Sequence, residues 1–282
     1  MLRRLLAGIG LIMGMHLLLP LAPSIVFAAE LSEIRDRGYL IVAIKDNRPP
    51  MGFLDSDNQL SGFEIDIARR LAEELLGDAN AVELVPTQNV DRLSAVIEDR
   101  VDVAIAALTI TEPRRRIISF SDPYYLDGTA FVTRLPTDSS PAIQTIRDLQ
   151  LGTIAVLDRS STVAWVKYIL PSAQLLGVST YLEAQALVES GAVDAFAGDA
   201  SVLVGWTMVG GALMNHSLLP EIISVEPLAI AVPKGQQYTS LQTAVNKAIQ
   251  RWYEEGWLQA RVEFWGLPEG VLPSVLANED DN

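Results

Sequence analysis

The spacing of apolar and polar residues changes several times along the chain, and each change marks an element. Leu40-Ile-Val-Ala-Ile44 is an unbroken apolar run between Gly38 and Pro49-Pro50, which predicts a short buried strand. Asp46 to Asp57 is polar and proline-rich and reads as a loop. From Ser61 the period becomes helical: Phe63, Ile67, Leu71 and Leu75 recur every four residues until Gly77. Val82–Val85 predicts a second strand and Val101–Ala107 a third. Between them, Asn89–Asp99 predicts a helix with Leu93, Val96 and Ile97 inward. Strand, helix, strand, helix, strand is the pattern of a parallel sheet with covered faces, so the fold class is α/β.

A second α/β pattern follows. Gly128–Arg134 reads as a strand and Pro136–Pro141 as a loop. Leu151–Val156 is a strand running into Asp158-Arg-Ser-Ser-Thr162 and a helix from Val163 to Ile169. Gly191–Asp199 is a helix end followed by a strand, with a helix from Ala200 to Trp206 after it. Val225–Lys234 is an apolar strand that would carry the chain back. The last helix has Leu241, Val245, Ile249 and Trp252 on one face, and Asn278–Asn282 is a polar tail expected to be disordered.

Length and composition narrow the class. The 282 residues are 49% apolar, enough to bury one large or two medium cores. Arg3 and Arg4 precede a long apolar run that closes on small residues at Val26-Phe-Ala28, the order of a secretory signal peptide cleaved after Ala28. An uncleaved anchor is the alternative; Pro20, Pro23 and the short gap before Leu31 favour cleavage. The chain has no cysteine, which excludes a lipid-anchored cysteine, disulfides and thiolate metal sites. Beyond residue 28 there are 19 basic and 35 acidic residues, a net charge of −16. That charge disfavours nucleic acid and anionic membrane as partners. A single histidine, His216, remains beyond residue 28, so hydrolytic triads and histidine-rich metal sites are excluded as well.

Against this acidic background the basic residues stand out. The third strand runs into Thr109 and Thr111, and then Arg114-Arg-Arg116. In open α/β sheets ligands bind beyond the carboxyl ends of strands, and a guanidinium grips a carboxylate through paired hydrogen bonds. Three adjacent arginines cannot all face one pocket, so Arg115 and Arg116 read as a solvated turn. For Arg114 both readings stay open on these residues alone. Ser160 and Ser161 begin a helix and form either an anion seat or an ordinary N-cap. Asp199 follows a strand and could hold an ammonium group, although a surface or N-cap aspartate is the more frequent case. Glu64 and Asp66 read as acids complementing a helix dipole.

The stretch Thr109-Ile-Thr111-Glu-Pro-Arg114 followed by Phe120-Ser-Asp-Pro-Tyr124 resembles the bacterial extracellular solute-binding proteins that deliver polar amino acids to ABC importers. Gly62-Phe-Glu-Ile-Asp-Ile-Ala68 resembles the same family's Gly-Phe-Asp-x-Asp-Leu-Ala segment. Three positions depart from its pattern: Glu112 and Pro113 are in swapped order, Ser119 stands where an acid is common, and Arg159 stands where glycine is usual. The resemblance implies a two-lobed periplasmic-binding-protein fold of type II, each lobe a sheet flanked by helices, with two hinge strands. It implies residues 29–131 plus 231–282 for the first lobe and 132–230 for the second. Arg114, with Thr109, Ala107, Ser160 and Ser161, would hold a ligand α-carboxylate, and Asp199 its α-ammonium. The implied partners are a free amino acid and a membrane permease, for a periplasmic monomer that carries no cofactor or metal and does not insert in the membrane.

The residue that stacks on the ligand in many family members is aromatic, whereas here Arg48 stands near that position. Arg92 resembles an arginine of the family's glutamate- and aspartate-binding branch. Lys45, Arg48 and Arg92 together would favour an acidic or polar ligand, glutamate or aspartate first. Surface salt bridges remain the alternative for any one of them. Two other functions stay open: an enzyme resembling cyclohexadienyl dehydratases on the same fold, and an amino-acid sensor domain.

Overall fold

A computed structural model describes residues 30–136, 143–208 and 216–268. The expected signal peptide, the loop at 136–141 except Pro136, and the tail at 278–282 lie outside the described residues.

The apolar run Leu40–Ile44 is strand β1, and every one of its residues is buried. A strand buried on both faces needs helices on both sides, which is the setting of parallel sheets. β1 pairs in parallel with β5 (Val82–Pro86) on one side and β6 (Val103–Ile105) on the other. Two antiparallel strands complete this sheet, β13 (Glu226–Val232) beside β6 and β7 (Ser119–Asp127) at the edge. The second sheet repeats the plan. β9 (Thr153–Leu157) is parallel to β10 (Gln174–Val178) and β11 (Ala195–Asp199). β8 (Thr129–Arg134) is antiparallel to β11, and β12 (His216–Leu218) is antiparallel to β8.

Helix α2 (Phe63–Leu76) buries Phe63, Ile67, Leu71 and Leu75, and Gly77 ends it in the left-handed conformation at φ 81°. Helix α8 (Thr239–Glu254) buries Leu241, Val245, Ile249 and Trp252. Both helices share one apolar cluster with the first sheet, so the carboxyl-terminal helix returns to the first lobe. Trp252 is fully buried there, and deleting such a side chain costs about 3–5 kcal/mol.

Some elements differ from the sequence pattern. The polar loop after β1 holds a small antiparallel sheet of β2 (Asn47–Arg48), β3 (Gly52–Leu54) and β4 (Leu60–Ser61). Helix α3 is shorter than expected, Arg92–Ile97, and Ile97 is 48% exposed. Its inward face is Arg92, Ala95 and Val96, because a basic side chain took an inward position that an apolar count would not assign to it.

The lobe boundaries also move. Thr129–Phe131 pairs within the second sheet and Glu226–Ile230 within the first, so the crossings lie at Gly128 and between Leu218 and Glu226, not at 131/132 and 230/231. An apolar run shows that a strand exists but not where its partners change. At the first crossing a Cβ on Gly128 would lie 2.4 Å from Ile222 Cγ2 and 2.6 Å from the Ser224 carbonyl oxygen. Only glycine lets the two crossing segments touch there.

Candidate ligand-binding cleft

The carboxyl end of β6 turns sharply. Ala107 has φ 53°, and its N–H donates to Glu64 Oε1 at 2.7 Å, while Arg92 Nη1 donates to the carbonyls of Ala106 and Ala107 at 2.7 Å each. Glu64 is fully buried and also accepts from the Tyr124 hydroxyl at 2.5 Å; its Oε2 has no hydrogen-bond partner among the described residues. It therefore holds the turn under the cleft as well as opening a helix. Thr111 N-caps the short helix α4 (Glu112–Arg115), which turns Arg114 inward and leaves Arg115 and Arg116 exposed.

Arg114 Nη1 donates to the Thr109 carbonyl at 2.8 Å, and Nη2 reaches across to the Arg159 carbonyl at 3.3 Å. Burial lowers its pKa, and Glu226 and Asp199 oppose that shift. The other side of this seat is the turn after β9. Arg159 occupies it in the left-handed conformation, φ 58°, at the position where the resemblance leads one to expect glycine. A residue with a side chain accepts that conformation at a cost of roughly 1–2 kcal/mol. Ser160 turns its hydroxyl back to the Leu157 carbonyl at 2.8 Å. Ser161, just before helix α5 (Thr162–Ile169), meets the Thr109 hydroxyl at 3.2 Å. Thr111, Arg114, Arg159, Ser160, Ser161 and Trp165 line a pocket of about 650 Å³ between the lobes.

Glu226, at the start of β13, is the residue that sequence reasoning missed here. Its carboxylate is fully buried and accepts from Thr109 at 3.2 Å, from Ser161, from Thr129 at 2.5 Å and from Ser224 at 2.8 Å. It thus ties the Thr109 hydroxyl of the first lobe and the Ser161 and Thr129 hydroxyls of the second to the second crossing. The available signal was an acid inside the apolar run Val225–Val232.

At the other end of the cleft, Asp199 closes β11. Its Oδ2 lies 2.9 Å from Arg48 Nη2 and accepts from the Tyr181 hydroxyl at 3.2 Å. Arg48 is 2% exposed and also reaches Asp127 Oδ2 at 3.4 Å and Ser201 Oγ at 3.4 Å. Burial works against its charge, but Asp199, then Tyr181 and Asp127, outweigh that and raise its pKa. Burial, followed by the charge of Asp199, pushes Asp127 up to about 7, and Arg48 opposes the shift. Lys45 donates to the Thr87 carbonyl at 3.1 Å; burial, then Arg92 and Arg48, lower its pKa to about 8. Burial, then Arg114 and Arg48, lower Arg92 to about 10. Three basic side chains left open as surface charges are therefore buried, each on a partner inside the protein. The structure joins Arg48 with Asp199, Thr109 with Ser161, and Arg114 with the Arg159 turn; Ser160 faces its own strand.

Among the described residues no cluster of His, Asp or Glu is placed to hold a metal, and no helix is long and apolar enough to cross a membrane.

The family model of the bacterial extracellular solute-binding proteins, family 3, matches residues 40–268. A glutamine-binding protein of Geobacillus stearothermophilus is 31% identical over 206 residues, covering 72% of this chain and 76% of its own. The glutamate-binding protein GluB of Corynebacterium efficiens is 28% identical over 232 residues, covering 79% and 77%. The crystal structure of an ancestral amino acid-binding protein, a precursor of cyclohexadienyl dehydratase, is 29% identical with a TM-score of 0.72, over 84% of this chain and 99% of that one. These relatives are named as binding proteins, and the chain has the two-lobed α/β periplasmic-binding-protein fold. Because they are named for glutamine as well as glutamate, they do not single out the family's acidic branch. The chain belongs to the bacterial extracellular solute-binding proteins, family 3.

Proposed function

We propose that the protein is secreted to the periplasm, captures an acidic or polar amino acid between its lobes and delivers it to the permease of an ABC importer. The observation that supports this most is the meeting, at one cleft, of Arg114 and Thr109 from the first lobe with Ser161 and Asp199 from the second. A zwitterion enclosed there loses water from both charges, so each needs an opposite partner. Arg114 takes the α-carboxylate, with the hydroxyls of Thr109 and Ser161 around it; Ser160 and the Ala107 N–H join them by leaving the Leu157 carbonyl and Glu64. Asp199 takes the α-ammonium. Arg48 and Tyr181 both meet its Oδ2, which makes Oδ1 the oxygen for the ligand.

The positive field of Lys45 and Arg92, with Arg48 beside them, favours glutamate or aspartate first and glutamine or asparagine next. A cationic side chain would meet those charges at low dielectric. Relatives are named for glutamate and for glutamine, and those names do not rank the two. The protein turns over none of these ligands.

A thermal-shift screen of the twenty amino acids tests the reading, since a ligand of the folded state raises Tm. Glutamate or aspartate should give the largest shift, and the radius from small-angle scattering should fall on binding. A larger shift with arginine or lysine refutes the side-chain assignment. No shift with any amino acid refutes capture itself.

A further inference from the structure

Arg48 leaves the small hairpin of the first lobe and ends among groups that belong elsewhere. Asp127 closes β7 at the first crossing, Asp199 closes β11, and Ser201 lies in the first turn of helix α7 (Ala200–Met208). Tyr181, which begins helix α6 (Tyr181–Ser190), directs its hydroxyl to the Asp199 oxygen that Arg48 meets. Two carboxylates and two hydroxyls thus surround one guanidinium, which is the composition of a cation-binding seat.

The seat is held by more than Arg48. Asp127 Oδ1 accepts the N–H of Gly128 at 2.9 Å and that of Ser201 at 3.1 Å, and its Oδ2 accepts the Ser201 hydroxyl. None of those bonds involves the arginine. Without Arg48, buried Asp127 and partly exposed Asp199, close enough to perturb each other, lack a counter-charge, an unfavourable state that another cation would relieve.

We propose that Arg48 is a tethered guanidinium filling a cation seat made by Asp127, Asp199, Ser201 and Tyr181, and that by filling it Arg48 keeps cationic amino acids out of the cleft. The second half rests on the amino-acid reading above; the first half does not.

The test compares wild type with Arg48→Ala and Arg48→Gln, using methylguanidinium chloride as the probe of the seat and sodium chloride as the salt control. Millimolar methylguanidinium should raise the Tm of both variants and leave that of the wild type unchanged. In calorimetry, L-arginine should bind Arg48→Ala at least about tenfold more tightly than it binds wild type, while L-glutamate should show no such gain. An equal response of wild type and variants to methylguanidinium overturns the seat. A selective response without the gain for arginine overturns the exclusion of cationic amino acids. Should Arg48→Ala fail to fold alone, folding restored by methylguanidinium supports the seat. Failure to restore it, with a folded Arg48→Gln that ignores the probe, overturns it. If wild type binds no amino acid at all, the proposed function fails and the methylguanidinium comparison still decides the seat.

Discussion

Both sheets place three parallel strands beside two antiparallel ones, yet the two lobes bring different chemistry to the cleft. The first supplies buried cations, Lys45, Arg48, Arg92 and Arg114, from segments that follow parallel strands. The second supplies hydroxyls, the Arg159 carbonyl and the carboxylate of Asp199. A buried cation needs acceptors fixed in advance, and the turns beyond parallel strands provide them as backbone carbonyls: Thr87 for Lys45, Ala106 and Ala107 for Arg92, Thr109 for Arg114. Phe63, Tyr124, Tyr125 and Trp252 of the first lobe share one buried cluster. The cations of the cleft thus sit on the first lobe, and the Asp199 carboxylate faces them from the second.

The largest expected effect separates the two charge partners. Arg114→Ala and Asp199→Ala should each weaken binding of the amino-acid ligand by about 2–5 kcal/mol. They should differ in stability. Asp199→Ala also removes the 2.9 Å partner of a buried arginine, so its Tm should fall, whereas Arg114→Ala gives up hydrogen bonds to carbonyls that water can replace. Calorimetry with parallel melting curves reads both. Undiminished affinity in either variant breaks the assignment of that lobe's charge.

Next comes the joint between the lobes. Gly128→Ala forces a Cβ onto Ile222 and the Ser224 carbonyl, and overpacking of this kind costs about 1–3 kcal/mol. Urea unfolding should show that loss. Wild-type stability in the variant would mean that the crossing segments part without cost, and that the two lobes are coupled only through the cleft.

A smaller effect is expected in the second lobe alone. Arg159→Gly relieves about 1–2 kcal/mol of left-handed strain but restores backbone entropy worth about 0.5–1 kcal/mol to the unfolded chain. The net gain in stability should lie between about 0 and 1.5 kcal/mol, measured by urea unfolding. A clear loss would show that the Arg159 side chain itself supports the turn.

Much of this architecture was legible because apolar spacing reports burial. Leu40–Ile44, the stripe Phe63, Ile67, Leu71, Leu75 and the stripe Leu241, Val245, Ile249, Trp252 are buried as their periods imply. Partners are not encoded in spacing, so the lobe assignment of Thr129–Phe131 and of Glu226–Ile230 was missed. The motif residues Thr109, Arg114, Ser161 and Asp199 were legible as candidates from the resemblance. Glu226, Asp127 and Tyr181 were not, because each acts through neighbours distant in sequence: Thr109 and Ser161, Ser201 and Arg48, and Asp199 respectively. Burial of Arg48 and Arg92 was illegible for the same reason.

Stability should also depend on pH, because Lys45 in the first lobe and Asp127 at the crossing pull it in opposite directions. Asp127 has a folded pKa of about 7 against an ordinary 3.8. Between those values the folded protein binds more protons than the unfolded chain, so this group's contribution is full below about pH 4 and is lost as pH rises to about 7. Lys45 has a folded pKa of about 8 against 10.5, so there the unfolded chain binds more protons. Its contribution is full above about pH 10.5 and is lost as pH falls to about 8. Their combined contribution is therefore least between about pH 7 and 8. Urea unfolding across this range should show that Asp127→Asn removes a falling slope on the acid side only, and Lys45→Met a rising slope on the alkaline side only. If Asp127→Asn runs parallel to wild type from about pH 4 to 7, Asp127 stays ionised throughout, and Arg48 rather than a proton is what balances it.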